Sequence, residues 1–126
     1  MVVVTRFLKG FLFAFSGVLA ALKSERNLRV HLAATCLAVA IGLYLGLSPV
    51  EWSLVVFAVG LVWVAELFNT AIERLGDEAA HGKHTQLVRY AKDISAGAVL
   101  MSALTALVIG FLLLLVPFVR RMFELR

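Results

Sequence analysis

Cysteine, charge and glycine-rich phosphate loops are what this sequence has least of. Cys36 is the sole cysteine, so no intramolecular disulfide and no thiolate metal cluster can form; amid an apolar run it is expected to pack as a small apolar residue. Charged residues make up 16% of the chain, well below the roughly one quarter of soluble domains, which argues against a water-soluble fold. There is no Walker A loop and no kinase glycine loop. No basic stripe with interleaved aromatics occurs, so nucleic acid is not an expected partner despite a net charge of +4. That charge suits anionic headgroups or a phosphate-bearing ligand instead. His81 and His84 lack nearby thiolates and make a poor zinc set.

Apolar residues fill the space these absences leave. They account for 62% of the chain, with a mean hydropathy of +0.97, and this composition describes an all-α integral membrane protein of one domain, residues 1–126. Residues 5–22 carry Arg6, Lys9, Ser16 and Gly17 at helical spacing, with Phe13 interrupting the stripe. Three readings compete for them: a signal peptide, a first span, or an amphipathic helix lying on the membrane surface. A signal peptide lacks a convincing cleavage site before Lys23-Ser24-Glu25-Arg26. A span would be short and would begin with two cations. The surface helix fits the length and the basic residues best. Three transmembrane helices follow, at about residues 30–49, 52–74 and 94–118. Gly46, Ser48 and Pro49 end the first, and Trp52 marks the interface. Residues 76–86 read as an aqueous loop, and Pro117 is expected to kink or end the third span.

Cations set the orientation. Arg6, Lys9, Lys23, Arg26 and Arg29 precede the first span, and Arg74, Lys83, Arg89 and Lys92 flank the loop after the second. The turn at 46–52 has none. Both basic regions are therefore expected to face the cytoplasm. Arg120, Arg121 and Arg126 fall outside, against the rule.

The second span ends in Glu66-Leu-Phe-Asn69-Thr70-Ala-Ile-Glu73. At about 100° per residue, Asn69, Thr70 and Glu73 all lie within about 60° of Glu66. A carboxylate at membrane depth is costly unless paired, protonated or metal-bound, and so marks a functional site. Under this topology Glu25, Glu73, Lys92 and Asp93 collect at the cytoplasmic boundary, with Glu66 about 10 Å deeper. Carboxylates from separate elements suit Mg²⁺ bound together with substrate phosphates. A lysine nearby neutralises a phosphate, and a deeper carboxylate suits proton removal from a lipid hydroxyl. The chemistry is phosphoryl transfer between a charged soluble donor and a membrane alcohol.

Glu66-Leu-Phe-Asn-Thr-Ala-Ile-Glu73 and Ala91-Lys-Asp-Ile-Ser-Ala-Gly-Ala-Val99 resemble the signature of the prokaryotic diacylglycerol kinase family, which includes diacylglycerol and undecaprenol kinases. Ser24-Glu-Arg-Asn-Leu-Arg-Val-His31 and Val50-Glu-Trp52 match as well, nearer the undecaprenol kinase branch. The resemblance runs from Arg6 to about Gly110. It implies a homotrimeric helical bundle in the lipid bilayer, with active sites shared between subunits. It implies ATP as co-substrate and Mg²⁺ as cofactor, with Glu66 as catalytic base and Asn69 on the catalytic face. Glu25 and Glu73 would hold the metal ion, and Arg6, Glu25, Glu73, Lys92 and Asp93 would contact ATP. The lipid alcohol would be diacylglycerol or undecaprenol. The loop at 74–86 departs from the family pattern, and His31 stands at a position that is acidic in some members. Gly97 and neighbouring small residues agree with close helix contact. Two readings of other classes compete. A small proton-coupled multidrug transporter needs four spans with the glutamate in the first. A non-catalytic membrane subunit would use the carboxylates to hold partners.

Overall fold

A computed structural model describes residues 2–80 and 85–124, and among them there are helices and no strands. Helix α1 is Val2–Ser24, α2 Arg26–Leu45, α3 Pro49–Ala80 and α4 Gln86–Gly110; a π-helical turn, Phe111–Leu115, leads into α5, Val116–Glu124. Among the described residues, three stretches are long and apolar enough to cross a membrane: α2, α3, and the continuous run Gln86–Glu124. At about 1.5 Å per residue, a 20-residue α2 matches a hydrocarbon core about 30 Å thick.

Each boundary has a local cause. Between α1 and α2 only Glu25 leaves helical geometry, with φ −96° and ψ 122°. Ser24 Oγ lies within hydrogen-bonding distance of the Ala20 and Ala21 carbonyls and of Glu25 Oε1, and Arg29 Nη1 donates to the Lys23 carbonyl at 2.9 Å. Side chains thus serve backbone groups that an unbroken helix would satisfy itself. Helix α2 stops at Gly46, whose φ of 71° and ψ of 46° are the left-handed cap a glycine adopts without penalty. Gly46 and Leu47 N–H return to the Gly42 carbonyl at 3.1 and 3.2 Å. Helix α3 then starts on a capping box with proline in the first helical position. Ser48 N–H and Oγ both donate to Glu51 Oε2, at 2.8 and 2.7 Å.

Two expectations about the loops change. Helix α3 does not stop near residue 74 but continues through Gly76 and Asp77 to Ala80, into the stretch read as a loop. Asp77 in this extension pairs with Lys92 on α4, so aqueous composition there belongs to a helix and not to a loop. Pro117 does not end the last span. It lacks the N–H that would bond the Leu113 carbonyl, and the turn before it widens so that Val116 N–H reaches Phe111 O. This carries α5 over the end of α2. Arg121 Nη1 donates to the Tyr44 and Leu45 carbonyls at 3.3 and 3.4 Å, and its guanidinium sits 5.2 Å from the Tyr44 ring centroid. One of the cations that break the orientation rule therefore caps a helix C-terminus.

Helices α3 and α4 form the main antiparallel pair, with α2 against α3. Among the described residues Leu28 is the one large side chain wholly removed from solvent, while Val56, Phe57, Val64 and Phe68 of α3 are exposed. Cys36 is exposed too, rather than packed. Such a surface is untenable in water and ordinary in lipid or against other membrane helices.

Candidate active site

The stripe on α3 is the spine of the site. Glu66, Asn69 and Thr70 are buried at 3%, 8% and 7% exposure, and Glu73 is half-buried one turn further along. Their i, i+3, i+4, i+7 spacing places them on one face, and α2 and α4 cover it.

Glu66 Oε1 lies 3.0 Å from His31 Nε2 of α2. His31 also anchors Thr35, whose Oγ1 donates to the His31 carbonyl at 2.7 Å, and Trp63 Nε1 donates to Thr35 Oγ1 at 3.1 Å. Asn69 bridges α3 and α4: its Oδ1 accepts from Ser95 Oγ at 2.7 Å and its Nδ2 donates to Glu73 Oε1 at 3.1 Å. Ser95, itself buried, fixes which way the amide points and thereby which donor faces Glu73. Each buried polar side-chain atom among the described residues has a hydrogen-bond partner, as a membrane interior demands.

Glu25 stands at the break between α1 and α2. Arg74 Nη2 donates to its Oε1 at 3.1 Å and to Ser24 Oγ, so this break is pinned to α3 one residue beyond Glu73. Lys92 Nζ pairs with Asp77 Oδ1. Gly76 makes room for that pairing, since a Cβ there would sit 3.1 Å from Val88 Cγ1 and 3.4 Å from Lys92 Cε. Asp93, the next residue, points elsewhere: 71% of its side chain is exposed and Arg89 Nε is 3.9 Å away. Arg6 is exposed on α1. His81, Lys83 and His84 lie outside the described residues.

Glu66, Asn69 and Glu73 therefore come together in one chain, and Glu25 reaches the same end through Arg74. Lys92 joins α4 to α3, whereas Asp93 and Arg6 do not join them. Sequence reading missed four partners. His31 was visible as a lone histidine in a charge-free run, Ser95 as a small polar residue three beyond Lys92. Arg74 and Asp77 carried no signal beyond being charged near a boundary.

No group of three His, Cys, Asp or Glu residues that could hold a metal ion occurs among the described residues. Glu25 and Glu73 are hard oxygen donors on separate elements, and Arg74, next to Glu73 in sequence, bonds Glu25. That donor set fits Mg²⁺, which takes one or two protein carboxylates and leaves its other positions to phosphates and water.

The family model described as "Prokaryotic diacylglycerol kinase" matches residues 12–114. The undecaprenol kinase of Bacillus subtilis (strain 168) is 38% identical over 110 residues, covering 87% of this chain and 89% of the relative. The diacylglycerol kinase of Escherichia coli (strain K12) is 32% identical over the same shares of both chains. That of Synechocystis sp. (strain ATCC 27184 / PCC 6803 / Kazusa) is 34% identical over 87% of this chain and 63% of the longer relative. Matched across most of its length, from the middle of α1 to the π-helical turn, the chain belongs to the prokaryotic diacylglycerol kinase family, a family of membrane lipid kinases.

Proposed function

We propose that this protein transfers the γ-phosphate of ATP to the hydroxyl of a membrane lipid alcohol, diacylglycerol or undecaprenol, at the cytoplasmic face of a bacterial inner membrane. The observation that carries this reading is the graded line of polar groups on α3, from Glu73 at the boundary to Glu66 buried about 10 Å deeper. A charged donor and an apolar acceptor meet along such a line.

Glu73 and Glu25 would hold Mg²⁺ with the nucleotide, and a bound Mg²⁺ would neutralise charge on the transferring phosphoryl oxygens. Asn69, oriented by Ser95, donates to Glu73 and keeps that carboxylate aimed at the phosphates. Lys92 supplies a positive charge for a phosphate, exchanging Asp77 for it when the nucleotide arrives. Arg6 and Asp93 contribute to nucleotide binding from outside this cluster. Glu66 supplies the negative charge that draws the proton from the lipid hydroxyl as its oxygen attacks phosphorus. The functional unit is a homotrimer with active sites shared between neighbours, supported by the exposed apolar face of α3 and by the direction of Asp93. Helix α1 lies on the membrane surface, supported by Arg6 and Lys9 in its first turns.

Purified protein in lipid-containing micelles tests the reading with MgATP and each lipid alcohol side by side. Phosphorylation of either lipid is expected, with a higher rate on undecaprenol given the greater similarity to an undecaprenol kinase. Glu66→Gln should cost about 10²–10⁴-fold in kcat. Glu73→Gln should raise the Mg²⁺ concentration needed for half-maximal rate. Unchanged kcat in the first variant would overturn the placement of Glu66, and an unchanged Mg²⁺ requirement in the second that of Glu73.

A further inference from the structure

Helix α5 lies beyond residue 114, where the family match ends, and at the end of the bundle opposite the Glu66–Glu73 line. At about 100° per residue it divides into two faces. Arg120, Arg121 and Glu124 share one face, and Phe118, Val119, Met122 and Phe123 share the other. Val119, Met122 and Phe123 are exposed, while Phe118 meets the Tyr44 ring edge-on at 5.8 Å between centroids. A helix divided in this way belongs at the depth where headgroups meet acyl chains. Trp52, whose ring stands against Gly42 of α2, marks the same depth. Between the polar face of α5 and the turn from α2 to α3 lies a cavity of about 400 Å³, within the range of small-molecule sites. Glu51, Arg120, Arg121 and Glu124 bring two positive and two negative charges to it.

These four groups are unequally committed within the chain. Arg121 Nη1 is held by the Tyr44 and Leu45 carbonyls, which fixes the guanidinium over the turn and leaves Nε and Nη2 as donors. Glu51 Oε2 accepts from Ser48 and leaves Oε1 as an acceptor. Among the described residues the side chains of Arg120 and Glu124 have no hydrogen-bond or ion-pair partner. They stand four apart on one helix face, where opposite charges pair readily, and yet they do not meet. We propose that this pocket binds the headgroup of a phospholipid carrying a phosphodiester and a primary ammonium, in the leaflet opposite the Glu66–Glu73 site. The phosphodiester lies between Arg120 and Arg121, whose guanidinium forks suit its two free oxygens. The ammonium donates to Glu124 and to Glu51 Oε1. A purely anionic headgroup would set its charge against those carboxylates, and a quaternary ammonium has no N–H to give them. The bound lipid ties α5 to the turn between α2 and α3, and it uses none of the groups assigned to phosphoryl transfer.

The test titrates the full chain, purified in detergent, with phosphatidylethanolamine, phosphatidylglycerol or phosphatidylcholine of one acyl composition. Native mass spectrometry reads the lipid retained per chain. The unaltered protein should hold phosphatidylethanolamine more tightly than either of the others. Arg120→Gln should weaken that binding by about tenfold, the loss of one charge-assisted contact. Its thermal unfolding should match the parent, since the Arg120 side chain has no partner among the described residues. Lipid also gathers at the basic residues of the opposite end, so the difference between parent and variant is the reading, not the total. Glu124→Gln should abolish the preference for phosphatidylethanolamine over phosphatidylglycerol, because an acceptor for the ammonium is gone. Equal retention of the three lipids by the unaltered protein would overturn the proposal, as would tightest binding of phosphatidylglycerol. Binding indifferent to Arg120→Gln, or a headgroup preference that survives Glu124→Gln, would overturn it as well. A neighbouring copy of the chain seated in the pocket would instead make Arg120→Gln change the mass of the assembly in the same spectra while lipid retention stays put, and that result also overturns it.

Discussion

Asn69 shows how much one amide does in this interior. Its oxygen accepts a hydrogen bond from Ser95 and its nitrogen donates one to Glu73, so a buried side chain joins two helices and aims a carboxylate at once. Removing the hydroxyl tests both. In Ser95→Ala the Asn69 oxygen stays buried with its donor gone, which should cost about 1–3 kcal/mol of stability. The amide also loses its orientation, so turnover should fall while the bilayer-facing surface is untouched. Unfolding of detergent-solubilised protein followed by circular dichroism, alongside kcat for the lipid, would show both losses. Stability and turnover equal to the parent would mean that Ser95 is satisfied by the Lys92 carbonyl it also approaches, at 2.9 Å. His31 makes the same point from α2: beside a carboxylate at membrane depth, each polar neighbour is either structural support or chemistry, and substitution separates the two.

At the level of helices, the close approaches lie at glycines. A Cβ on Gly42 would stand 2.9 Å from the Trp52 ring, at the end of the membrane opposite the site. Gly42→Ala should therefore overpack the α2–α3 contact and lower stability by about 1–3 kcal/mol. It should leave kcat per folded molecule unchanged, because Gly42 is about 16 Å along α2 from His31. Thermal unfolding and turnover measured on one preparation would check this, and equal loss of both would show that the helices transmit strain to the site. The elements themselves were largely legible in the sequence. Charge-free runs bounded by Gly46-Leu-Ser-Pro49 and Trp52 mark helices because lipid leaves the backbone no other way to satisfy its polar groups. The Glu66–Glu73 stripe was legible because helical period acts inside one element. What could not be read was pairing between elements. His31 with Glu66, Ser95 with Asn69 and Arg74 with Glu25 depend on helix rotation and depth, which no single segment encodes. The extension of α3 to Ala80 was hidden for the same reason, since Asp77, which pairs with Lys92 of α4, looks like loop when α4 is not in view. Pro117 was recognised as a disturbance, but its outcome, a widened turn, depends on where α5 finds the end of α2.

For the whole molecule the open geometry of α4 has a consequence for assembly. Lys92 turns inward to Asp77, while Asp93, next in sequence, is largely exposed and points away from its own Glu66–Glu73 line. If Asp93 serves a nucleotide, the proposed homotrimer would have it do so at the site of a neighbouring subunit. Glu66→Gln and Asp93→Asn should each be nearly inactive alone. When the two are unfolded together, mixed in equal amounts and reassembled, a site is intact only where an Asp93→Asn subunit supplies Glu66 and its neighbour, a Glu66→Gln subunit, supplies Asp93. Random assembly of a cyclic trimer gives each site a chance of about one in four, so about a quarter of the parent activity should return. Lipid phosphorylation by the mixture, compared with each variant refolded alone, measures this directly. Sites built within one chain would return nothing on mixing, since every subunit would then carry one lesion in its own site; recovery near a quarter requires that Asp93 of one chain act on the Glu66 line of another.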